Sequence, residues 1–323
     1  MKFISVNEQS EWDEAAEKLG AHPLQLWGWS EVKKTHHWSA EHIAVINEND
    51  EIIGGAQVLF KKLPTPFGEF AYIPRGPFGS HVAQGELLAQ LPQHLKHTRK
   101  LLSLSIEQGT GTAPGVKGWR KTSNTILMDE TIVLDLSHSE EELLADMKKK
   151  NRQYIRKSAA NCEICQITSD AEIDDCLMIY KNLAARVGFG LHDDAYYHSV
   201  SQLLGEHSKI YGAYVDGELA SFLWLAVSPE TAFELYGAVN EQGQGARVNY
   251  ALKWHAITEM KRQGVRFYDL NGLVEGGVSN FKQGFASHET HFAGTFDYPL
   301  SPLYPLWRIG FEPAKKLYRT LRR

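Results

Sequence analysis

The sequence predicts an α+β fold in which one unit of strands and helices occurs twice. A turn of Asn-Asp or Asp-Gly type, followed by alternating apolar residues, occurs at 49–56 and again at 216–221. Such turns supply the positive-φ positions of a hairpin, and the alternation that follows predicts a strand. Glu51 and Glu218 mark the same place in the two turns and stand 167 positions apart. Further elements recur at nearly this spacing, so an internal duplication is a better interpretation than two unrelated segments.

Each copy continues with a second strand, a helix and a closing strand. The matched elements are the strands at 70–74 and 234–238, the helices at 85–99 and 248–263, and the closing strands at 101–106 and 266–270. A hairpin meander followed by a crossover helix and a further strand is typical of the GNAT (acyl-CoA N-acyltransferase) fold, whose splayed sheet opens a cleft for an acyl donor. We therefore expect two tandem GNAT-like domains, although a likeness of fold carries no chemistry by itself.

The boundary between the two predicted domains lies near residues 136–140. The segment 137–142 offers an N-cap serine followed by three Glu, a pattern that favours the start of a helix. An extended segment that returns to the first domain is marked by Pro299, Pro302 and Pro305. We expect domain 1 to comprise residues 1–137 and 298–323, and domain 2 to comprise residues 138–297.

Composition places the chain among soluble globular proteins. Aromatic residues make up 11% of its 323 residues, which excludes a disordered chain, and a net charge of −5 excludes a globally basic nucleic-acid coat. Three cysteines, an odd number, argue against a disulfide scaffold and fit a reducing compartment. Polar residues from Asn7 onward leave no signal-peptide core, and no apolar run reaches the ~20 residues of a membrane span. We expect a soluble, cytoplasmic protein.

The motifs of metal, redox and hydrolase sites are missing from the sequence. Cys162 and Cys165 form a single C-x-x-C pair in a predicted strand, where positions i and i+3 face opposite sides. The 14 histidines are scattered without an H-E-x-x-H pattern, and no G-x-S-x-G motif occurs. We therefore expect no metal and no cofactor.

A glycine-rich segment at 242–246 stands just before the second predicted crossover helix. Glycines at a helix N-terminus expose amides to phosphate, so this segment is either a coenzyme A pyrophosphate site or a simple turn. The matching position in the first copy, 81–85, lacks the pattern. Neither copy has a clear coenzyme A loop, which disfavours an ordinary acetyltransferase.

Two further segments suggest anion binding. Six cations without an intervening acid occupy residues 148–157, which form either a solvated helix face or a surface for a phosphate-rich partner such as RNA, a nucleotide or anionic lipid. Three tryptophans and two lysines occupy residues 27–38. The tryptophans are either core anchors or, with Lys33 and Lys34 beside them, the floor of a sugar or nucleotide site.

Five segments together resemble the FemABX family, the tRNA-dependent aminoacyltransferases that build peptidoglycan cross-bridges. They are residues 25–38, 72–77, 148–157, 268–272 and 280–285. The most specific are Tyr-Asp-Leu-Asn-Gly at 268–272 and Asn-Phe-Lys-Gln-Gly-Phe at 280–285. The resemblance spans essentially the whole chain, and the two GNAT-like domains of that family agree with the duplication. The long coiled-coil arm of some relatives is missing, because no sustained heptad repeat occurs between 138 and 297.

The resemblance implies transfer of an amino acid from aminoacyl-tRNA to the stem-peptide amine of a peptidoglycan precursor, either UDP-MurNAc-pentapeptide or lipid II. An aminoacyl ester is already activated, so the reaction needs neither ATP nor a metal; the enzyme must orient the amine, accept its proton and stabilise the oxyanion. Matched residue by residue, Lys282 is the implied oxyanion stabiliser and Phe281 its aromatic neighbour at the acceptor end of the tRNA. Precursor binding is assigned to domain 1.

The other predicted roles concern the precursor, the proton and the tRNA. Lys33 is matched to a lysine that holds the diphosphate of the precursor, and the rest of this site comprises Trp27, Trp38, His192, Tyr196 and Tyr236. His192 stands where related enzymes carry a phosphate-binding arginine. Ser105 stands where they carry an aspartate, so Glu107, on the same strand face, becomes the candidate acid for the proton of the amine. The predicted tRNA contacts are Lys148, Lys149, Lys150, Arg152 and Arg156.

Two other functions remain open at this point: acyl-coenzyme A-dependent N-acyltransfer, and a non-catalytic RNA- or lipid-binding module. The basic segment 315–323 has Leu317, Tyr318 and Leu321 at helical spacing. It forms either a terminal helix docked on domain 1 or an interfacial helix in peripheral contact with the inner face of the membrane.

Overall fold

The computed structural model of the chain describes residues 1–273 and 277–310. The strands of the first half are β1 (Lys2–Ser5), β2 (Trp38–Ile46), β3 (Ile52–Lys62), β4 (Glu69–Pro74), β5 (Phe78–Gly79), β6 (Leu101–Glu107) and β7 (Arg120–Lys121). The later strands are β8 (Glu130–Thr131), β9 (Val133–Asp135), β10 (Glu163–Gln166), β11 (Ser208–Val215), β12 (Glu218–Val227), β13 (Thr231–Val239), β14 (Phe267–Asp269), β15 (Thr290–His291) and β16 (Thr295–Pro299).

The helices are interspersed among these strands along the sequence. They are α1 (Gln9–Lys18), α2 (Trp27–Lys34), α3 (His81–Thr98), α4 (Glu140–Asp146), α5 (Lys149–Ala159), α6 (Asp170–Val187), α7 (Asp194–Leu204), α8 (Glu241–Ala246), α9 (Val248–Arg262) and α10 (Gly277–Lys282). Short 3-10 helices occur at Pro23–Gln25 and Gly205–His207. Residues 304–310 form a further helical segment, and the basic segment 315–323 lies outside the described residues.

The described strands form two large mixed sheets, one mainly from each half of the chain, and a separate antiparallel pair of β15 with β8. The first sheet has the order β1-β2-β3-β4-β6-β16-β7, with β5 paired to β3, and the second has the order β10-β11-β12-β13-β14-β9. In both sheets an antiparallel meander is followed by a crossover helix and a parallel strand. Helix α3 links β4 to β6, and α9 links β13 to β14. The predicted α+β fold of two tandem GNAT-like units is confirmed.

Two strands cross the predicted domain boundaries by a few residues. Strand β9 pairs with β14 in the second sheet, although the sequence assigns residues up to 137 to the first domain. Strand β16 pairs with β6 and β7 in the first sheet and begins at Thr295, three residues ahead of the predicted return at 298. The C-terminal segment therefore adds a strand to the first sheet. The division into two domains stays a prediction.

The two parallel strand pairs differ in length, and this difference positions the site. In the first sheet β4 pairs with β6 along its whole length, from Glu69 opposite Leu101 to Pro74 opposite Glu107. In the second sheet β13 pairs with β14 only from Thr231 to Phe233, whereas residues 234–239 continue along β12. The second sheet is therefore splayed beyond Phe233. We call this opening, between residues 234–239 and residues 269–272, the wedge.

A hydrophobic cluster joins the two halves. Trp29 and Tyr72 from the first half pack in one cluster with Tyr196, Trp224 and Phe233 from the second. Burying a large apolar side chain contributes roughly 1.5–3 kcal/mol, so this shared core fixes the position of one half on the other. It also brings α2 against α7. Within residues 1–273 and 277–310, no helix is both long and apolar enough to span a membrane.

Local capping signals explain where two of the helices begin. Helix α4 follows Ser139, whose side chain accepts from the Glu142 amide while the Glu142 carboxylate accepts from the Ser139 amide. The glycine-rich segment at 242–246 differs from the expected loop, because Asn240 caps it and it folds as α8. Gly243 packs on strand β12, where a Cβ would lie 2.6 Å from the carbonyl oxygen of Ala220. This close approach gives the glycine a packing role instead of a phosphate-binding one.

Candidate active site

The wedge contains a buried ion pair. Lys253 of α9 lies with Nζ 2.5 and 2.7 Å from the two carboxylate oxygens of Glu234 on β13, and the side chains are 4% and 7% exposed. Tyr268 on β14 donates its hydroxyl to the same carboxylate at 2.9 Å. Charges buried to this degree are tolerated only when paired and hydrogen-bonded. The pair therefore links both strands of the wedge to the crossover helix.

A tight turn closes the end of β14 beside this pair. Asp269 accepts from the backbone amide of Asn271 at 2.8 Å and from the hydroxyl of Thr131 at 2.6 Å. The side-chain amide of Asn271 donates to the carbonyl oxygen of Glu234 at 2.7 Å, across the opening of the wedge. Asn271 and Gly272 have φ values of 49° and 72°. This left-handed backbone directs successive carbonyl groups toward one point.

Lys282 occupies that point. Its Nζ donates to the carbonyl oxygens of Asn271 at 2.5 Å and Gly272 at 2.9 Å. Burial lowers the pKa of Lys282 from 10.5 to about 8, while the Glu234 carboxylate opposes the shift and the Lys253 ammonium adds to it. At pH 7 the side chain is therefore still an ammonium, but one that lies in a poorly solvated place and has a fixed direction.

An aromatic row leads from Lys282 to the cationic helix α5. The ring of Phe281 lies 4.8 Å from that of Tyr250, which in turn lies 5.0 Å from that of Tyr154 on α5. The guanidinium of Arg247 stacks at 4.0 Å on Tyr154, and the Lys150 ammonium lies 5.5 Å from the same ring. Half-buried aromatic rings beside cations are typical of surfaces that bind single-stranded nucleic acid by stacking.

Helix α5 docks directly on the segment that carries Lys282. The backbone amide of Lys148 donates to the carbonyl of Gly284 at 3.0 Å. The buried side chain of Asn151 lies against Gly284 and approaches the Phe281 carbonyl at 3.5 Å. A Cβ on Gly284 would overlap the Asn151 amide, so only glycine allows this contact.

Replacing Gly284 with Ala should therefore lower the free energy of unfolding by about 1–3 kcal/mol, the usual range for overpacking a filled site. Gly245→Ala is the matched control. Gly245 lies in helix α8 with no atom within 4 Å of the added Cβ, so alanine should stabilise the protein slightly through its higher helix propensity. Urea unfolding of both variants tests the contrast; equal effects would contradict the docking contact.

The cationic run divides into two groups in the structure. Lys148, Lys149, Lys150 and Arg156 have exposed side chains, as a phosphate-binding surface requires. Arg152 differs, because its Nη1 donates to the carbonyl oxygens of Leu144, Ala145 and Met147 at 3.1, 3.1 and 2.5 Å. Its guanidinium thus caps the end of α4, and the predicted tRNA contact by Arg152 is replaced by a structural role.

The predicted precursor residues Lys33, His192, Tyr196 and Tyr236 come together where α2 meets α7. Lys33 Nζ donates to the Tyr196 hydroxyl at 2.7 Å and lies 4.2 Å from the ring of Trp29. The imidazole of His192 stacks on Tyr196 at 3.9 Å, and the ring of Tyr197 lies between Tyr196 at 5.6 Å and Tyr236 at 5.0 Å. Burial lowers the pKa of Lys33 from 10.5 to about 8.

His192 cannot fully replace an arginine in this cluster. Burial, and then the positive charge of Lys33, lower its pKa below the usual 6.5, so the imidazole is neutral at pH 7. A neutral imidazole donates one hydrogen bond but carries no charge for a phosphate. Lys33 is therefore the main cation of the cluster.

The two other tryptophans expected beside Lys33 lie elsewhere. Trp27 stacks on His42 at 3.9 Å, with the Lys34 ammonium 5.7 Å away, on the face of α2 that does not carry Lys33. Trp27 is six residues before Lys33, and at 100° per residue the two side chains point in different directions. Trp29 is four residues before Lys33 and lies on the same face of α2. Trp38 packs near Phe70 and Lys61. The prediction that Trp27 helps to form the floor of a site beside Lys33 is therefore wrong. The tryptophan that lies beside Lys33 is Trp29.

Glu107 is buried at the C-terminal end of β6. It accepts from the Tyr72 and Thr295 hydroxyls and from the backbone amides of Ile126 and Leu127, both at 2.9 Å. The residue is 2% exposed, and both carboxylate oxygens are engaged. This geometry favours a role in positioning Tyr72 and the 126–127 loop, so acceptance of the amine proton by Glu107 stays a prediction. Ser105, on the same face, donates instead to Asp297.

No group of three His, Cys, Asp or Glu residues within the described ranges is arranged to hold a metal ion. Cys162 precedes strand β10 and Cys165 lies within it, and burial raises the pKa of both thiols. Raised pKa values disfavour the thiolate form that redox and metal chemistry require.

Two family models match the chain, one in each half. An acetyltransferase (GNAT) domain matches residues 144–283, and the FemAB family matches residues 4–107. A crystal structure of FemX superposes with a TM-score of 0.85 at 18% identity, covering 95% of this chain and 100% of that one. A tandem GNAT protein of clavulanic acid biosynthesis superposes with a TM-score of 0.53 at 14% identity, covering 93% and 99%. The chain thus has a tandem GNAT fold.

Proteins similar in sequence include staphylococcal enzymes named lipid II:glycine glycyltransferase. That of Staphylococcus haemolyticus (strain JCSC1435) is 25% identical over 208 residues, which cover 58% of this chain and 49% of the relative. That of Staphylococcus aureus (strain MRSA252) is 26% identical over 201 residues, covering 57% and 47%. The chain spans about half the length of these relatives. These similarities and the FemAB match to residues 4–107 agree with the FemABX resemblance that the sequence motifs indicate.

Sequence reasoning missed three residues of the central region. Glu234 and Lys253 lie in a strand and a helix whose neighbours are apolar, and nothing in their spacing marks them as partners. Arg75 stands in the Ile-Pro-Arg-Gly-Pro segment, and it is only 5% exposed. A charged residue within an otherwise apolar element is the one signal that points to the pair, because charges are rarely buried without a partner.

Proposed function

We propose that the chain transfers an amino acid from aminoacyl-tRNA to the stem-peptide amine of a peptidoglycan precursor. The observation that carries the proposal is the position of Lys282 in the wedge, where a GNAT sheet holds its acyl donor. The aromatic row and the exposed cations of α5 support tRNA as the donor. We assign the donor end to domain 2 and the precursor to domain 1, next to Lys33.

The proposed reaction forms one bond and breaks one. The amine nitrogen attacks the carbonyl carbon of the aminoacyl ester, the ester C–O bond breaks, and the terminal hydroxyl of the tRNA leaves with the proton lost by the amine. After the attack and before the ester bond breaks, negative charge develops on the carbonyl oxygen. Asn271 and Gly272 hold two of the three N–H groups of Lys282, so the third has a fixed direction from which to donate to that oxygen.

A transfer assay with the full chain tests this proposal. Charged tRNA pools are offered with lipid II or with UDP-MurNAc-pentapeptide, and the product is identified by mass spectrometry. The names of the sequence relatives make lipid II the first acceptor to test. Because both donor and precursor are made in the cytoplasm, we place the reaction there, at the inner face of the membrane when the acceptor is lipid II. Activity with acetyl-coenzyme A and none with charged tRNA would refute the proposal.

The binding of a diphosphate-bearing precursor should depend on pH through Lys33. The pKa of about 8 means that the ammonium loses its charge between pH 7 and pH 9, so affinity should fall about tenfold over this interval. The unfolded chain keeps this proton up to about pH 10.5, so burying the charge destabilises the folded state below pH 8, and stability recovers as pH rises from 8 to 10.5.

Isothermal titration with UDP-MurNAc-pentapeptide between pH 7 and 9 measures the effect. Lys33→Arg is the control, because its guanidinium stays charged over the whole range and should give a flat profile. Lys33→Ala should bind weakly at every pH. A flat profile for the unmodified chain would show that Lys33 does not hold the diphosphate.

A further inference from the structure

Residues 126–128, between β7 and β8, are held in place by two buried charges of the first half. We call these three residues the ledge. The Glu107 carboxylate accepts from the backbone amides of the first two, both at 2.9 Å, and Arg75 Nη2 donates to the carbonyl oxygen of Met128 at 3.1 Å. Burying a charge costs free energy, and here two buried charges are directed at the backbone of three successive residues. The ledge is therefore fixed more firmly than a simple connection between two sheets requires.

The ledge contacts both clusters of the candidate active site. Leu127 packs against the hydrophobic cluster shared by the two halves, which includes the tyrosine that is hydrogen-bonded to Lys33. Met128 lies against the turn whose carbonyl groups hold Lys282, because a Cβ added to Gly272 would be 2.8 Å from the Met128 Cγ atom. The ledge therefore extends from the Lys33 cluster to the turn that places the oxyanion donor.

The ledge presents apolar side chains to the solvent. Ile126 and Met128 are 44% and 37% exposed, although the backbone that carries them is held by buried groups. A fixed segment with exposed apolar side chains is a permanent apolar surface, and such surfaces often mark binding sites. Two side chains offer too little area for a stable protein interface, which takes roughly 800 Å² from each partner, but they are enough to contact part of a short peptide.

We propose that the ledge is the floor on which the stem peptide of the precursor lies, with the side chains of Ile126 and Met128 against its aliphatic groups. The inference rests on the proposed function, in which the diphosphate of the precursor lies at Lys33 and its amine reaches Lys282. The stem peptide is the part of the precursor that joins these two points, and the ledge contacts the clusters at both of them. The two buried charges that hold the ledge are then positioning residues, which act on the peptide through the backbone of the ledge.

The test compares UDP-MurNAc-pentapeptide with UDP-MurNAc, which lacks the peptide, by isothermal titration of the full chain at pH 7. The unmodified chain should bind the pentapeptide form about tenfold more tightly, because only this form reaches the ledge. The double variant Ile126→Ser, Met128→Ser should reduce this ratio about fivefold, since it removes apolar contact area from the peptide. Its affinity for UDP-MurNAc should stay unchanged, because that affinity depends on Lys33.

The double variant Val82→Ser, Met178→Ser is the matched control. It removes two exposed apolar side chains, from α3 and α6, and should keep the ratio of the unmodified chain. Because Met128 also packs against Gly272, Ile126→Ser is measured alone as well. It should lower the ratio about twofold and leave the Tm of the nucleotide-free protein unchanged.

The outcomes separate this inference from the proposed function. Equal affinity of the unmodified chain for the two nucleotides would overturn the inference while the precursor site at Lys33 stands. The same holds if the ledge variants keep the ratio, or if the control loses it equally. No binding of either nucleotide would refute the precursor site at Lys33, and the inference with it.

Discussion

Replacing Lys282 with Ala should reduce the rate of aminoacyl transfer by about 10²–10³-fold, the usual loss when one oxyanion donor is removed. The ammonium is placed by the carbonyl oxygens of Asn271 and Gly272 at 2.5 and 2.9 Å, so its position depends on a rigid turn. The precursor should still bind, because Lys33 and Tyr196 belong to a different cluster. Single-turnover rates at saturating charged tRNA, with precursor titration alongside, measure the two effects separately.

Two controls separate chemistry from folding in the Lys282 experiment. Lys96→Ala removes an exposed lysine from the last turn of α3 and should leave the rate within about twofold of the unmodified chain. Urea unfolding of Lys282→Ala shows whether the turn at 271–272 has loosened. A folded Lys282→Ala that transfers at the unmodified rate would disprove the catalytic assignment.

Replacing Lys253 with Met should reduce the free energy of unfolding by about 3–5 kcal/mol, because Glu234 would then be a buried charge without a partner. The ammonium lies 2.5 and 2.7 Å from the carboxylate oxygens, and the side chains of both residues are less than one-tenth exposed. Methionine has nearly the same shape, so packing is largely kept and the loss reports the charge. Chemical denaturation measures it.

Lys34→Met is the matched control for this loss. Lys34 pairs with Glu31 at 2.6 Å, yet both side chains are about one-third exposed or more, so its replacement should change stability by less than about 1 kcal/mol. The double variant Lys253→Met, Glu234→Gln should recover most of the stability, because the neutral amide oxygen still accepts from Tyr268. A Lys253→Met protein as stable as the Lys34→Met control would show that the pair is not what fixes the wedge.

The sequence predicts the features that depend on near neighbours. The capped start of α4 and the Phe281–Lys282 motif are recognisable from residues a few positions apart, and the duplicated order of strands and helices is recognisable from local patterns that recur about 167 positions along the chain. The contacts that assemble the site are not local: Lys33 and Tyr196 are 163 positions apart, and Lys282 meets its partners only after α10 folds back on the end of β14. Arg152 shows the same limit, since its capping role depends on the angle between α4 and α5.

The unequal strand pairing of the two sheets has a consequence for inhibitor design. In the first sheet the backbone groups of β4 face β6 along the full strand, so an extended molecule finds no free edge there. In the second sheet β13 runs on from Phe233 without β14 beside it, and the opening is bridged at Glu234 by the side chain of Asn271. A short peptidomimetic that copies an extended strand therefore has main-chain groups to pair with at the parallel junction of the second sheet but not at that of the first. Duplication thus left this junction open to such a compound in one repeat and closed in the other.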